Sequence, residues 1–137
     1  MKNEITNVVG GLVIKDKKIL ICQRSKDGQH PLKWEFPGGK IKSQEDTESA
    51  LKRELKEELN IEISQNQFLC DYYFDYKDLN KRVHLYFYLV SKFSQDMKNN
   101  IHEQMKWIEI NELSHYDFLE GDEEVIQKIL DNGIKIY

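Results

Sequence analysis

The feature that most constrains this chain is a glycine pair, Gly38-Gly39, followed closely by a segment of strong helix formers. The segment Thr47–Leu59 contains no glycine or proline, so it predicts a helix capped by Thr47 or Asp46. At about 100° of rotation per residue, one face of this helix is apolar and a neighbouring face is acidic. The apolar face consists of Ala50, Leu51, Leu55 and Leu59, and the acidic face consists of Glu54, Glu57 and Glu58.

The acidic face indicates either a metal site or a helix surface exposed to water. Carboxylates on one patch repel each other, and a hard divalent cation that takes oxygen ligands would hold them together. Charge runs of this kind are also typical of solvated helix faces. The segment Phe36-Pro37-Gly38-Gly39 favours the metal site, because its glycines let the backbone approach a ligand closely. Arg53 lies one helical turn before Glu57 and can orient the carboxylates.

These residues resemble the signature of the Nudix hydrolases. The matching positions are Gly39, Glu45, Arg53-Glu54-Leu55, Glu57-Glu58 and Ile61. The preceding Trp34-Glu35-Phe36-Pro37-Gly38 is similar to the MutT-like branch, whose members remove damaged or surplus nucleoside triphosphates. One position departs from the pattern, since Asn60 stands where the family usually has a glycine that ends the helix in the left-handed conformation. Asparagine tolerates that conformation next best, so we expect a small loss of stability and no loss of chemistry.

The resemblance implies a fold and a reaction. The expected fold is of the α/β (α+β) class, with residues 1–137 in a single domain. It is an α/β/α sandwich in which a central mixed β-sheet lies between the Thr47–Leu59 helix and a C-terminal helix. The expected reaction is Mg²⁺-dependent hydrolysis of a nucleoside triphosphate, 8-oxo-dGTP or a related (d)NTP, to the monophosphate and pyrophosphate. Mn²⁺ is the alternative cofactor.

The resemblance also assigns the metal ligands and the catalytic residues. The expected metal ligands are the Gly39 carbonyl, Glu54, Glu57 and Glu58. Glu54 is expected to act either as a ligand or as the general base that takes a proton from the attacking water. Arg53 and Glu45 are expected to orient these carboxylates.

The region before the last predicted strand departs from the family pattern. Many MutT-like relatives have a Glu-His pair there, whose glutamate supplies a further metal ligand or a base, whereas this chain has Ile101-His102. Either Glu103, the next residue, replaces that metal ligand after a short shift, or the fourth carboxylate is absent. Two alternatives to the expected reaction stay open. One is hydrolysis of CTP, another pyrimidine triphosphate or another nucleoside-diphosphate-linked substrate, and the other is a Nudix-like binding domain with weakened catalysis.

Substrate binding is expected at a set of positions spread along the chain. They are Arg24, Phe36, Gly38, Gly39, Lys40 and Asp122. Arg24 ends the second predicted strand, where MutT-like relatives also have an arginine. Asp122 lies in the loop from which those relatives recognise the base, and it is predicted either to cap the following helix or to read the base. An ionised carboxylate only accepts hydrogen bonds, so as a reader Asp122 would prefer an edge with two donors, such as guanine N1 and N2.

Alternation and turn residues predict the other elements. Strands are predicted at 5–14, 18–24 and 105–110, and a long hairpin joins 67–76 to 82–93. The hairpin is rich in aromatic residues, which pack in the core or, where they carry a phenol, are candidates for stacking on a base. Residues 25–33 form a polar loop in which His30 is expected to face solvent without a partner. An apolar face at Val125, Ile126, Ile129 and Leu130 predicts a C-terminal helix over 122–130.

Composition limits the partners and the compartment. The formal net charge of −4 argues against a surface for duplex nucleic acid. Cys22 and Cys70 are isolated, so neither a disulfide framework nor a zinc site is indicated. The longest early apolar run, residues 8–14, is too short for a membrane span or a signal sequence. We therefore expect a cytoplasmic enzyme, monomeric or homodimeric, whose partner is a nucleotide substrate.

Overall fold

A computed structural model describes residues 4–94 and 96–134, and within them it shows seven strands and two α-helices. The strands are β1 (Ile5–Lys15), β2 (Lys18–Gln23), β3 (Trp34–Glu35), β4 (Gly38–Lys40), β5 (Ile63–Tyr76), β6 (Lys81–Phe93) and β7 (Gln104–Glu109). The helices are α1 (Thr47–Leu59) and α2 (Glu123–Asn132), and short 3₁₀ segments cover Lys77–Leu79, Ile110–His115 and Glu120–Asp122. Neither α-helix has the length and apolar character needed to span a bilayer, and the same holds for every helix in these two ranges.

The strands form one mixed sheet around β1. β1 runs parallel to β6 and antiparallel to β4, with Val9 opposite Gly39 and Gly10 opposite Gly38. β5 lies outside β6 as its antiparallel neighbour, and the far end of β1 pairs with β2. β2 in turn carries β3 and β7. The predicted central mixed sheet is confirmed.

The two faces of the sheet are covered by different helices. Alternate residues of β1 contribute to two separate cores, Val9 and Val13 to the core under α1 and Leu12 and Ile14 to the core under α2. The α1 core contains the whole predicted apolar face of that helix, which is fully buried: Ala50, Leu51, Leu55 and Leu59. The sandwich with α1 and the C-terminal helix on opposite sides is therefore confirmed.

Polar residues define both ends of α1. Asp46, rather than Thr47, is the cap, since its side chain accepts a hydrogen bond of 2.7 Å from Ser49 N. Asn60 adopts the left-handed conformation with φ 58° and ψ 31°, and its N–H donates to Lys56 O at 3.0 Å. The residue that replaces the family's glycine thus ends the helix in the predicted way.

Several elements differ from the sequence prediction. Gly38-Gly39 lies in strand β4, which the predicted strands do not include, because the neighbouring strand β1 offers a free pairing edge there. β5 begins at Ile63 and not at residue 67, since its polar first residues pair with the end of β6, and pairing outweighs their low strand propensity. α2 begins at Glu123, and the side chain of Asp122 makes no capping hydrogen bond.

His30 is a further difference, because it was expected to face solvent without a partner. Its side chain is only 21% exposed, and Nε2 lies 2.9 Å from Oδ2 of Asp78. The ring also packs against Tyr76, with 5.2 Å between ring centroids. These contacts attach the 25–33 loop to the connection between β5 and β6, a pairing that spacing along the sequence does not reveal.

Candidate functional site

A cleft with a volume of about 340 Å³ lies where β4, β1 and β6 meet. Its apolar walls include Val8, Phe36, Val83, Leu85, Phe87 and Leu119. The polar residues that line it include Arg24, Glu35, Lys40, Glu58, Tyr76, Lys81 and Asp122. Every position that the sequence analysis assigned to substrate binding lines this cleft: Arg24, Phe36, Gly38, Gly39, Lys40 and Asp122. Residues distant in sequence are thereby brought together in one pocket with apolar walls and several convergent polar groups, as is typical of small-molecule sites.

The glycine pair lets α1 approach the β4 backbone closely. Gly38 has φ +154°, and a Cβ atom on it would overlap the carbonyl oxygen of Val9 in β1. A Cβ atom on Gly39 would overlap the carboxylate of Glu54. Glycine at position 38 is therefore required for β4 to pair closely with β1, and glycine at position 39 leaves room for the Glu54 carboxylate against the strand. We call the region formed by Gly38, Gly39 and the α1 glutamates Glu54, Glu57 and Glu58 the acidic end of the cleft; the two glycines and Glu58 line the cleft itself.

Glu58 is the most buried glutamate of α1. It is 7% exposed, and its Oε1 accepts a hydrogen bond of 3.4 Å from Gly38 N. Burial first, and then the neighbouring carboxylates of Glu54 and Glu35, raise the pKa of Glu58 well above its usual range. Within the described ranges the imidazole of His102 lies 3.5 Å from its Oε1, and no ion pair with a lysine or arginine is seen. A cation would stabilise a buried carboxylate in such acidic surroundings.

Arg53 contacts Glu54 and Glu57 of α1 and Glu45, which precedes the helix. Its guanidinium donates to Glu45 at 2.9 Å, to Glu54 at 2.7 Å and to Glu57 at 3.2 Å. It also donates to the carbonyl of Lys40 at 3.0 Å, which ties α1 to the end of β4. One guanidinium is thus shared by three carboxylates, and the side chain of Glu57 is 55% exposed at the rim.

The oxygen atoms at the acidic end suit a hard divalent cation. The donors are the carboxylates of α1 and the Gly39 carbonyl, and such all-oxygen sets are preferred by Mg²⁺ and Mn²⁺. Among the residues that the structure describes, no three Asp, Glu, His or Cys side chains already stand in a metal-binding arrangement, and Arg53 hydrogen-bonds both Glu54 and Glu57. The residues therefore fit the ion in chemistry and burial, and their assignment as ligands stays a prediction.

Two further residues of this site, the partly buried Glu35 and the buried His102, have no role that the sequence predicts. Glu35 accepts a hydrogen bond of 2.8 Å from Arg24, and burial raises its pKa against the opposing effect of that arginine. The His102 side chain is 2% exposed, with Nε2 3.5 Å from Glu58 Oε1 and 3.8 Å from Glu35 Oε2. Burial lowers the pKa of His102 to about 4. Neither residue lies at a helical or strand spacing from Glu58, so only the tertiary structure reveals them.

Asp122 also lines the cleft. It is 6% exposed, and its Oδ2 accepts a hydrogen bond of 3.3 Å from Phe36 N. The side chain makes no capping hydrogen bond, so the structure does not support the capping role. Burial, together with the nearby Glu35, raises the pKa of Asp122 to about 8. Burial thus favours the protonated carboxyl, which can both donate and accept, and the role of Asp122 as a reader of the base stays a prediction.

Glu103 is not brought to the acidic end. Its Oε1 accepts a hydrogen bond of 3.1 Å from Lys26 N, and the side chain is exposed outside the cleft. Ile101 lines the cleft instead and is 57% exposed. The structure gives no support to Glu103 as a fourth metal ligand, because the turn before β7 directs it toward the 25–33 loop.

Acid is expected to unfold the protein over a pH range that depends on Glu45. The Arg53 guanidinium, together with a backbone hydrogen bond from Lys42, lowers the pKa of Glu45 from 4.5 to about 2. A carboxylate with a lowered folded-state pKa contributes stability above its ordinary pKa and loses it as the pH falls through the lowered value. We expect Glu45→Gln to flatten the fall in unfolding free energy between pH 4.5 and about 2, measured by urea unfolding. The exposed Glu62 supplies the control, because Glu62→Gln should show the same dependence of unfolding free energy on pH as the parent protein. If Glu45→Gln also shows the parent dependence, Glu45 does not have this role in acid stability.

Comparison with known proteins identifies relatives of the whole chain. A family model described as NUDIX domain matches residues 5–129. The 8-oxo-dGTP diphosphatase of Buchnera aphidicola subsp. Schizaphis graminum is 34% identical over 125 residues, which are 90% of this chain and 92% of that protein. The CTP pyrophosphohydrolase of Escherichia coli (strain K12) is 27% identical over 128 residues, 93% of each chain.

Solved structures share the fold. A structure of MutT, from work on Aliivibrio salmonicida and Vibrio cholerae, has a TM-score of 0.79 at 28% identity and covers 93% of this chain and 98% of that one. A bifunctional NMN adenylyltransferase/ADP ribose pyrophosphatase from Francisella tularensis, complexed with AMP and a Mn ion, has a TM-score of 0.74 at 25% identity. That match covers 97% of this chain and 43% of the larger one. Taken with the glycine pair, the acidic face of α1 and the mixed sheet, these matches show that the chain belongs to the Nudix hydrolase family, in its MutT-like branch.

Proposed function

We propose that this protein hydrolyses a nucleoside triphosphate, 8-oxo-dGTP or a related (d)NTP, to the monophosphate and pyrophosphate, with Mg²⁺ as cofactor and Mn²⁺ as an alternative. The observation that carries the proposal is one cleft that contains two chemically different groups. Glu58 accepts a hydrogen bond from Gly38 N beside the other glutamates of α1, and Asp122 accepts one from Phe36 N. The first group suits a phosphate chain neutralised by a cation, and the second suits a base held by an aromatic wall and a carboxyl. The 8-oxo-dGTP diphosphatase relative supports this substrate class.

At the acidic end, each residue has a distinct part in the reaction. Glu57, Glu58 and the Gly39 carbonyl would hold the divalent cation, with Glu54 as a further ligand or as the general base. When bound, the cation neutralises phosphate oxygens and makes a water molecule more acidic. Arg53 donates to Oε2 of Glu54, which leaves Oε1 on the Gly39 side to accept the proton of an attacking water.

Two lysines give the cleft a local positive charge that the acidic chain as a whole lacks. Lys40 and Lys81 both line the cleft. Partial burial, and then the charge of Lys40, lower the pKa of Lys81. A bound polyanion would favour the charged form of both lysines. This supports a triphosphate rather than an uncharged substrate.

The enzyme is expected to tolerate asparagine in place of Asp122 but not leucine. A protonated carboxyl offers one donor and one acceptor, which matches O6 and N1 of guanine or N3 and N4 of cytosine, and asparagine offers the same pair. We expect Asp122→Asn to keep kcat/KM within about tenfold of the parent, whereas Asp122→Leu should lower it by about 10- to 100-fold, since an unpaired buried polar group costs about 1–3 kcal/mol. Steady-state kinetics at pH 7 on the preferred nucleotide measures both, and parental kcat/KM in Asp122→Leu would exclude a contact with the base.

A panel of nucleotides tests the reaction itself. We expect Mg²⁺-dependent pyrophosphate release, with 8-oxo-dGTP or a related purine triphosphate as the best substrate. Preference for CTP would instead favour the pyrimidine alternative, which the CTP pyrophosphohydrolase relative supports. Absence of release from every canonical and oxidised triphosphate would refute the proposal and favour the weakened binding domain, for which Ile101 in the cleft is the supporting observation. Cytoplasmic location and a monomeric or homodimeric state stay predictions.

A further inference from the structure

The loop that leads into β7 is attached to the C-terminal end of α1. Its amide groups donate to three successive carbonyls of the helix: Lys98 N to Leu59 O at 2.8 Å, Asn100 N to Glu58 O at 3.1 Å and Asn100 Nδ2 to Glu57 O at 2.9 Å. Asn60 adds a bond in the other direction, since its Nδ2 donates to Asp96 O at 3.2 Å. These bonds satisfy carbonyls that a helix end leaves free. They also fix the loop relative to the glutamates of the acidic end.

The same loop carries His102 into the interior of the site. Asn99 and His102 exchange two hydrogen bonds of 2.8 Å, from Asn99 Nδ2 to His102 O and from His102 N to Asn99 Oδ1. The imidazole is 2% exposed, yet neither Nδ1 nor Nε2 has a hydrogen-bond partner among the described residues. Buried polar atoms are rarely left unpaired, so two such atoms on one ring that faces carboxylates indicate a role in the site.

We propose that His102 is a positioning residue for the carboxylates of Glu58 and Glu35. Its Nε2 lies 3.5 Å from Oε1 of Glu58 and 3.8 Å from Oε2 of Glu35. A neutral imidazole that carries its proton on Nε2 directs this N–H toward both carboxylates. A shift of the ring by under about 1 Å brings Nε2 into hydrogen-bond range of them. The inference rests on the proposed function, because it treats Glu58 as a ligand of the cation.

The contacts around Glu35 agree with this arrangement. Arg24 donates to Oε1 of Glu35, so Oε2 is the oxygen that faces His102. On the other side, Glu58 takes its backbone hydrogen bond from Gly38. The imidazole therefore lies between two carboxylates that would otherwise repel each other, and its N–H limits the directions in which Glu58 can turn. Partners of this kind orient metal-binding side chains, and their loss typically costs about 10- to 100-fold in metal affinity.

Two variants of similar size distinguish the effect of the N–H donor from the effect of packing. Glutamine in His102→Gln keeps an N–H donor, whereas methionine in His102→Met fills a similar volume without one. We expect His102→Met to bind Mn²⁺ about 10- to 100-fold more weakly than the parent, whereas His102→Gln should stay within about threefold. Electron paramagnetic resonance of free Mn²⁺, titrated against nucleotide-free protein, gives these affinities without reference to turnover.

His84 provides the matched control. It also lies beside a carboxylate, with Nε2 2.7 Å from Asp71 Oδ2, but it does not line the cleft. His84→Met should therefore bind Mn²⁺ as the parent does. Parental Mn²⁺ affinity in His102→Met would overturn the inference and leave the proposed function intact. A parent protein that binds no Mn²⁺ would overturn both.

A measurement on the parent protein tests the position of the His102 proton even if neither variant folds. Long-range ¹H–¹⁵N spectra distinguish the two neutral tautomers of a histidine. The proposal requires the Nε2–H form for His102, because Nε2 is the nitrogen that faces the carboxylates. Observation of the Nδ1–H form would overturn it.

Discussion

Glu58→Gln is expected to remove turnover almost completely while the protein stays folded. Glu58 is the buried carboxylate of the acidic end, and glutamine keeps its shape but not its charge. Bound metal supplies several kcal/mol of charge stabilisation in the transition state, and each 1.4 kcal/mol corresponds to about tenfold in rate, so we expect kcat to fall by at least about 10³-fold. Pyrophosphate release at saturating Mg²⁺ and nucleotide measures the loss.

The stability of Glu58→Gln is expected to change in the opposite direction to its activity. Burial, with the nearby carboxylates, raises the pKa of Glu58, so folding without metal becomes less favourable as the pH rises toward that pKa. The neutral amide removes this pH dependence, and the metal-free variant should melt at or above the parent temperature at pH 8. The exposed Glu62→Gln should leave kcat unchanged. Full turnover in Glu58→Gln, or its unfolding at pH 8, would contradict the position given to this residue.

Gly38→Ala is expected to lower the free energy of unfolding more than any other substitution proposed for this protein. The added methyl group would collide with the carbonyl oxygen of Val9, which is backbone and cannot move away without breaking the pairing of β4 with β1. The backbone at Gly38 also has a positive φ that alanine rarely adopts. We expect the unfolding free energy to fall by at least about 3 kcal/mol, a large share of the roughly 5–15 kcal/mol of a typical domain. Urea unfolding measures this difference.

Gly28 gives the matched control for this substitution. A Cβ atom on Gly28 would meet nothing within 4 Å, so Gly28→Ala should leave the unfolding free energy within about 0.5 kcal/mol of the parent. If Gly38→Ala unfolds at the same urea concentration as the parent, then β4 does not pair with β1 as described. In that case Gly38 N would not be held beside Glu58, and the acidic end would lose its backbone support.

Much of the acidic end could be predicted from the sequence because it lies on one helix and one adjacent segment. A helix has a fixed rotation per residue, so the spacing of Glu54, Glu57 and Glu58 predicts a shared face without knowledge of the rest of the fold. The expectation that Asn60 ends α1 comes from the resemblance, since Asn60 stands where the family has a glycine, and local tolerance of the left-handed conformation explains why asparagine serves there. The remaining positions of the cleft, such as Arg24 and Asp122, came from resemblance to the family and not from spacing.

Other parts of the site depend on contacts between distant segments. No spacing in the sequence assigns a role to Glu35 or His102, because their approach to Glu58 depends on how β3 and the loop before β7 pack against α1. The expectation that His30 faces solvent fails for the same reason, since the structure pairs His30 with Asp78. Such contacts leave no periodic signal in the sequence, since each depends on the pairing of several strands.

By itself, the sequence determined that this chain has an acidic helix beside a glycine pair. That pattern carries the resemblance from which the family and the class of reaction follow. Helical rotation and glycine's freedom are local properties, so they can be read from neighbouring residues alone. Only the tertiary structure decided that Asp122 turns inward to Phe36, where burial raises its pKa, and that Glu103 lies outside the cleft. Burial and charge proximity set those properties, and both arise when the sheet and its loops assemble around β1.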